Sequence, residues 1–231
     1  MSQSIISSEL FLPHNRICSG FTTRELGSDY QKIASLLEVD LKNINTLKQV
    51  HFNKVVKLTE PIGLEGVEAD ALVTDLKNVI IGVRVADCLP LLVYDPVCGV
   101  VAAIHAGWRG LVSGVIENSL HAMTEYGCAL KNCHVSLGPC ICEKCFEVGQ
   151  EVVTEFKNKF TDVSQIIFAG QKDKSFIHLK QAAQIILKAK KIPEKQIEIN
   201  HWCTRCENNV WPSFRAGDAT LRTLAYIALK N

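Results

Sequence analysis

Residues 79–110, VIIGVRVADCLPLLVYDPVCGVVAAIHAGWRG, constrain this chain more than any other stretch. The apolar runs 90–94 and 100–104 flank Asp95-Pro96-Val97-Cys98-Gly99, whose Pro and Gly mark a tight turn, so the pattern predicts an antiparallel hairpin. Pairing centred on Val97 sets Cys88 opposite His105 or Ala106 at the open end. Directly opposed Cα atoms lie about 4.5–5.5 Å apart. A thiolate and an imidazole at that separation can share one metal ion or act as nucleophile and base. Residues 79–85 are too uniformly apolar to face water, which predicts a strand buried on both faces.

The flanking chain alternates short strands with amphipathic helices. Residues 17–23 predict a strand that ends at Arg24, a surface charge or a substrate contact. A helix follows over 29–37 with Ser28 as its N-cap, then one or two strands over 46–58 that carry His51. After the hairpin, His105-Ala-Gly-Trp-Arg-Gly110 leads into a helix over 111–126 with Gly127 as its cap. That turn is either an anion site, with Arg109 beside free backbone N–H groups, or a close-packed turn plugged by Trp108. Further strands are predicted at 134–138, 165–168 and 197–202, and helices at 148–160, 179–190 and 221–229. The sum is an α/β fold, one domain over residues 1–231.

A formal net charge of +1 argues against binding nucleic acid through bulk charge. Residues 1–12 lack the features of a signal peptide and no apolar run reaches about 18 residues, so the expectation is a soluble, cytoplasmic protein without a membrane partner. In that setting the ten cysteines are thiols, some of them metal ligands. Two metal sites compete. Cys140, Cys142, Cys145, Cys203 and Cys206 could supply a four-thiolate structural zinc site if their two loops meet, although the spacing is not that of a common zinc ribbon. His51, Cys88 and His105 would instead leave a fourth position open, as a catalytic zinc requires.

Gln49-Val50-His51, Glu68-Ala-Asp-Ala-Leu-Val-Thr-Asp75, Ala86-Asp-Cys-Leu-Pro90 and His105-Ala-Gly-Trp-Arg-Gly110 occur in an order that resembles the bacterial multicopper polyphenol oxidase, or laccase-domain, family. That family is also known as the peptidoglycan editing factor and purine nucleoside phosphorylase family. Phe21-Thr-Thr-Arg24, Leu137-Gly-Pro, Phe146-Glu-Val-Gly149, Cys203-Thr and Ser213-Phe-Arg215 extend the resemblance over nearly the whole chain. It implies mixed β-sheets sandwiched by helices and zinc held by His51, Cys88 and His105. It further implies phosphorolysis of adenosine, inosine and S-methyl-5′-thioadenosine, with adenosine deamination as a side activity. Zinc lowers the pKa of water to about 7, which suits deamination. For phosphorolysis, Arg109 and the helix start after Gly110 could hold phosphate, Asp87 is the candidate acid or base, and Arg24 and Arg215 are candidates for orienting substrate.

The chain departs from the family pattern in three places. Residues 25–30 run almost directly into a helix, His178-Leu179 stands where Asp-Leu is usual, and Ser213-Phe-Arg215-Ala216-Gly217-Asp218 lacks one Arg. Rival activities use the same centre. One is removal of L-serine from a misbuilt peptidoglycan precursor, by the zinc site or by a Cys88 thiolate activated by His105. Phenol oxidation by copper fits poorly, because seven histidines with no His-x-His pair cannot furnish a multicopper site. A non-enzymatic zinc module would need a fourth protein ligand near His51, and the local sequence offers none. Oligomeric state leaves no mark on the sequence.

Overall fold

The computed structural model describes residues 4–231; the first three residues of the segment read as lacking a signal peptide lie outside it. Two large sheets stack face to face, as their apolar strands require. The first has the order β1 (Ile5–Ile6), β2 (Ile17–Thr22), β14 (Thr223–Leu229), β6 (Ile80–Val85), β3 (Ile44–Thr46). The second has the order β13 (Ile197–Ile199), β9 (His134–Leu137), β7 (Leu89–Asp95), β8 (Val100–Ala106), β5 (Ala71–Thr74), β4 (Val55–Lys57). A small third sheet joins β10 (Glu147–Val148), β12 (Ser175–Ile177) and β11 (Ile167–Ala169).

Successive side chains of a strand point to opposite faces, and here each face meets a different core. Leu92 and Tyr94 of β7, Val101 and Ala103 of β8, and Ile81, Val83, Ala225 and Ile227 of the first sheet fill the space between the sheets with Phe21 and Trp211. Leu91, Val93, Ala102 and Ile104 face the other way, onto helices α2 (Trp108–Ser113), α3 (Val115–Glu125), α4 (Gln150–Lys159) and α5 (Leu179–Ala189). Ile80, Leu224 and Tyr226 cover the outer face of the first sheet, against Ile33 and Ala34 of α1 (Tyr30–Leu36). The mixed α/β fold with helices on both sides follows. No helix among the described residues is long and apolar enough to cross a membrane.

Several local expectations change. Residues 223–229 form strand β14, not a helix: Leu221, Leu224, Ala225 and Ala228 mimic helical spacing, but every side chain of β14 is buried between β2 and β6. The predicted helix over 111–126 starts at Trp108 and breaks at Gly114, whose φ of 97° ends α2 before α3 begins. Asp29, not Ser28, caps α1, its Oδ1 accepting from the Lys32 amide at 3.1 Å. Leu89 pairs with Ala106, one step off the expected register, so Cys88 lies beside Gly107 rather than opposite His105 or Ala106. Pro90 sits inside β7, tolerated because the pairing of β7 with β9 starts only at Leu91.

Candidate active site

The chain crosses from one large sheet to the other between β6 and β7, and Cys88 stands at that corner. Asp87 just before it takes φ 82°, a left-handed conformation that turns the chain sharply. His105 reaches the same point from the penultimate position of β8. His51 comes from the loop between β3 and β4 with φ 59°. One ligand atom from each of the three lies within 4.8 Å of the others, and the two imidazoles meet edge to face with centroids 4.8 Å apart.

Two side chains fix this geometry. Asp70, fully buried, accepts from the amides of His51 at 2.9 Å and Phe52 at 2.8 Å, and from Nδ1 of His105 at 2.8 Å. It therefore shapes the His51 loop and leaves Nε2 of His105 free to face Cys88. Burial would raise the Asp70 carboxyl, but the His105 and backbone hydrogen bonds outweigh it and hold its pKa below the usual carboxylate range. A carboxylate behind a histidine is the usual support of a ligating imidazole. Gln49 mimics a strand: its amide donates to the Arg84 carbonyl at 2.8 Å and accepts from the Arg84 amide at 2.7 Å, tying the loop to the end of β6.

Electrostatics favour a Cys88 thiolate paired with a His105 imidazolium, whose Nε2 proton a bound metal would displace. Burial opposes ionisation of Cys88, yet His105 and His51 overcome it and draw the thiol down to about 6. Burial also opposes the His105 cation, and the Cys88 and Asp70 charges overcome it, lifting that pKa to about 9. Two imidazole nitrogens and a thiolate form a borderline-soft set that suits a transition metal such as zinc or copper. Gly107 leaves room around the sulfur, since a Cβ there would stand 3.0 Å from Cys88 Sγ.

The three donors open onto a cavity of about 680 Å³. Trp108, Phe146, Phe214, Ile141 and Leu179 give it apolar walls, and Arg215 and Arg222 give it positive charge, whereas Arg84, also in the lining, is paired with Glu65 at 2.6 Å. Arg215 donates to the Glu147 carbonyl and Arg222 to the Leu221 carbonyl. Asp87 also lines the cavity, but its two carboxylate oxygens accept from Thr204 Oγ1 at 2.6 Å and the Arg215 amide at 2.7 Å. Two sequence candidates stand outside the lining. Arg109 is exposed and stacks on Trp108, 4.3 Å from the ring centroid, while Arg24 pairs with Asp218. The two cysteine loops do meet: Cys142, Cys145, Cys203 and Cys206 cluster, and Cys140 stays buried beside them with its thiol pushed by burial to about 12.

Comparison with known proteins is decisive at this point: residues 22–230 match the family model described as multi-copper polyphenol oxidoreductase laccase. The chain belongs to this family. Among curated relatives, "Adenosine deaminase RL5" from an unknown prokaryotic organism is 35% identical over 194 residues, covering 79% of this chain and 73% of the relative. "Purine nucleoside phosphorylase YlmD" from Bacillus subtilis is 28% identical over 235 residues, covering 95% and 84%. The crystal structure of the Bacillus licheniformis hypothetical protein YfiH superposes with a TM-score of 0.91 at 25% identity, covering 98% of this chain and 97% of that one. Family membership matches the resemblance drawn from the motifs around His51, Cys88 and His105. Asp70 lies in one of those motifs, but its part in aiming His105 needed the fold: nothing local in Glu68-Ala-Asp70-Ala marks a carboxylate that meets a histidine 35 positions away.

Proposed function

We propose that the chain is a zinc-dependent purine nucleoside phosphorylase acting on adenosine, inosine and S-methyl-5′-thioadenosine, with adenosine deamination as a side activity. The observation that carries this reading is the open three-donor set of His51, Cys88 and His105 in the lining of a cavity that aromatic side chains and arginines also line. The names of the curated relatives point the same way. Two histidines and one thiolate make a single small centre, too few donors for a multicopper oxidase site.

When bound there, zinc supplies Lewis-acid polarisation at the open position. The chain's own residues do the rest. Phe146, Trp108 and Phe214 offer flat apolar surface for a purine, which excludes water from the reacting bond. Arg215 and Arg222 hold phosphate, and planar guanidinium forks can grip it by paired hydrogen bonds. Phosphate oxygen then bonds to ribose C1′ as the bond from C1′ to the purine nitrogen breaks, and the base leaves with a proton. In this assignment Arg109 gives up the phosphate role suggested by its sequence position, and Arg24 acts only through the loop it anchors. Asp87 is a positioning residue: it ties the Cys88 corner to Thr204 and to the backbone of Arg215.

The test is chromatography of adenosine incubated with zinc-loaded protein, with and without phosphate, beside Cys88→Ala. Phosphate-dependent adenine that disappears in the variant is the expected result. Inosine formed without phosphate would mark deamination as the main activity. No turnover in either condition would discard the nucleoside reading and leave amide hydrolysis of a peptidoglycan precursor, for which Cys88 and His105 make a nucleophile and base pair.

A further inference from the structure

The second cysteine cluster lies outside the centre just described and has a different chemistry. Cys142-Glu-Lys-Cys145 belongs to the loop after β9, and Cys203-Thr-Arg-Cys206 to the loop after β13. One sulfur from each of the four cysteines lies within 4.8 Å of the others, and Cys145 and Cys206 approach to 3.5 Å. A tetrahedral zinc thiolate site, with bonds of about 2.3 Å, places its sulfurs about 3.8 Å apart, so a small contraction of the cluster suffices. Amide groups already point at sulfur. The N–H of Cys206 donates to Cys203 Sγ at 3.4 Å, and the N–H of Cys142 donates to the same sulfur at 3.3 Å. Sulfur that accepts two amide hydrogens is prepared for a thiolate rather than for a thiol proton.

The geometry points to a second, structural zinc site with Cys142, Cys145, Cys203 and Cys206 as its four ligands. All four positions are filled by protein, so the ion is closed to substrate, unlike the three-donor centre. Its purpose follows from what the loops carry. Ile141 and Phe146 flank the first cysteine pair, and Thr204 lies inside the second; Ile141 and Phe146 line the cavity. Both loops also grip the Cys88 corner, since the Ile141 amide donates to the Asp87 carbonyl at 3.0 Å and Thr204 Oγ1 to the Asp87 carboxylate. The four-thiolate zinc therefore staples together the two loops that set one wall of the cavity and the bend holding Cys88. A metal in this place does for irregular loops what hydrophobic packing does for the strands.

The test measures zinc per chain by elemental mass spectrometry in protein produced with added zinc and desalted under reducing conditions. Two zinc ions are expected in the unaltered chain, one in Cys145→Ser/Cys206→Ser, and one in His51→Ala/His105→Ala. One ion in the unaltered chain that vanishes in the histidine variant would overturn the assignment, as would two ions in the cysteine variant. Because the cysteine variant can fail to fold, the unaltered protein is also treated with iodoacetamide and mapped by peptide mass spectrometry. Labelling of Cys206, which is exposed, should accelerate at least tenfold when a strong chelator is added. Equal rates with and without chelator, or a Cys145 to Cys206 disulfide that survives desalting under reducing conditions, would refute the site.

Discussion

Asp70 is the residue on which the candidate centre turns. Its carboxylate accepts from the backbone at positions 50, 51 and 52 and from His105, so a single side chain aims one candidate ligand and shapes the loop of another. Asp70→Asn keeps the volume but removes the charge and replaces one acceptor oxygen with a donor. Loss of such support behind a ligating histidine weakens metal binding by about 10- to 100-fold. We expect that loss in a zinc competition titration against a chromophoric chelator, with about 2 kcal/mol of stability lost as charge-assisted hydrogen bonds disappear. An unchanged affinity would show that His105 holds its orientation without the carboxylate. At this scale the sequence was legible where motifs carry identity: His51, Cys88 and His105 could be named from it. Arg215 is likewise named there as a candidate for orienting substrate, whereas Asp70 and Gln49 carry no such mark, because each depends on a partner 35 positions along the chain.

A second residue pair ties function to pH. Asp218 pairs with Arg24 and accepts from the Ser213 amide at 2.8 Å, anchoring the segment that holds Phe214 and Arg215 in the cavity wall. The Arg24 hydrogen bonds, helped by the Ser213 amide, hold the Asp218 carboxyl below the usual carboxylate range despite some desolvation. A depressed folded-state pKa adds stability above the unfolded value of about 3.9, and that stability fades as pH falls through the folded value. Asp218→Ala should therefore cost about 1 kcal/mol in urea unfolding at pH 7, a modest figure because the pair is partly exposed to solvent. Near pH 2 the difference from the unaltered chain should shrink toward zero. A penalty that stays constant with pH would assign the effect to lost packing instead.

At the scale of elements, α2 acts as a template for the His51 loop. Gly110 packs so closely against that loop that an added Cβ would stand 2.7 Å from the Phe52 carbonyl oxygen. Backbone cannot swing aside as a flexible side chain can, so Gly110→Ala must push residues 51–53 away from α2. The variant should lose about 1–3 kcal/mol in denaturant unfolding, the usual range for overpacking. Zinc affinity should fall by about tenfold in the same competition titration, since His51 rides on the displaced loop. Full zinc affinity would mean that α2 can shift without moving the ligand. Elements were legible where a turn signal bounded two apolar runs, as in the β7 and β8 hairpin, or where helical periodicity was unambiguous, as in α5. β14 was misread for a physical reason: a strand buried on both faces has no polar positions to reveal a period of two, so its leucines and alanines fit helical spacing equally well.

At the scale of the whole molecule, the core between the sheets joins everything else. Residues of both sheets interlock there around Phe21 and Trp211, while each outer sheet face supports its own helices. The Cys88 corner runs from the first sheet into the second, so neither sheet can complete the candidate centre alone. Mixed layers of sheet and helix could be anticipated from the apolar runs and the family resemblance, but not which face meets which, because that depends on strand order. The arrangement makes a testable claim about cooperativity. Trp211 is fully buried between the sheets, whereas Trp108 packs against the helical core on the far side of the second sheet. If the interlocked sheets unfold together, replacing Trp108 and Trp202 by Phe leaves Trp211 as a fluorescent reporter whose urea transition coincides with loss of far-ultraviolet circular dichroism. In a variant retaining Trp108 alone, whose midpoint falls because Trp211→Phe empties part of the core, the Trp108 signal should still coincide with that variant's own circular dichroism. Midpoints that separate would divide the molecule at the sheet interface, and the Cys88 corner would then be the first part of the centre to lose its shape.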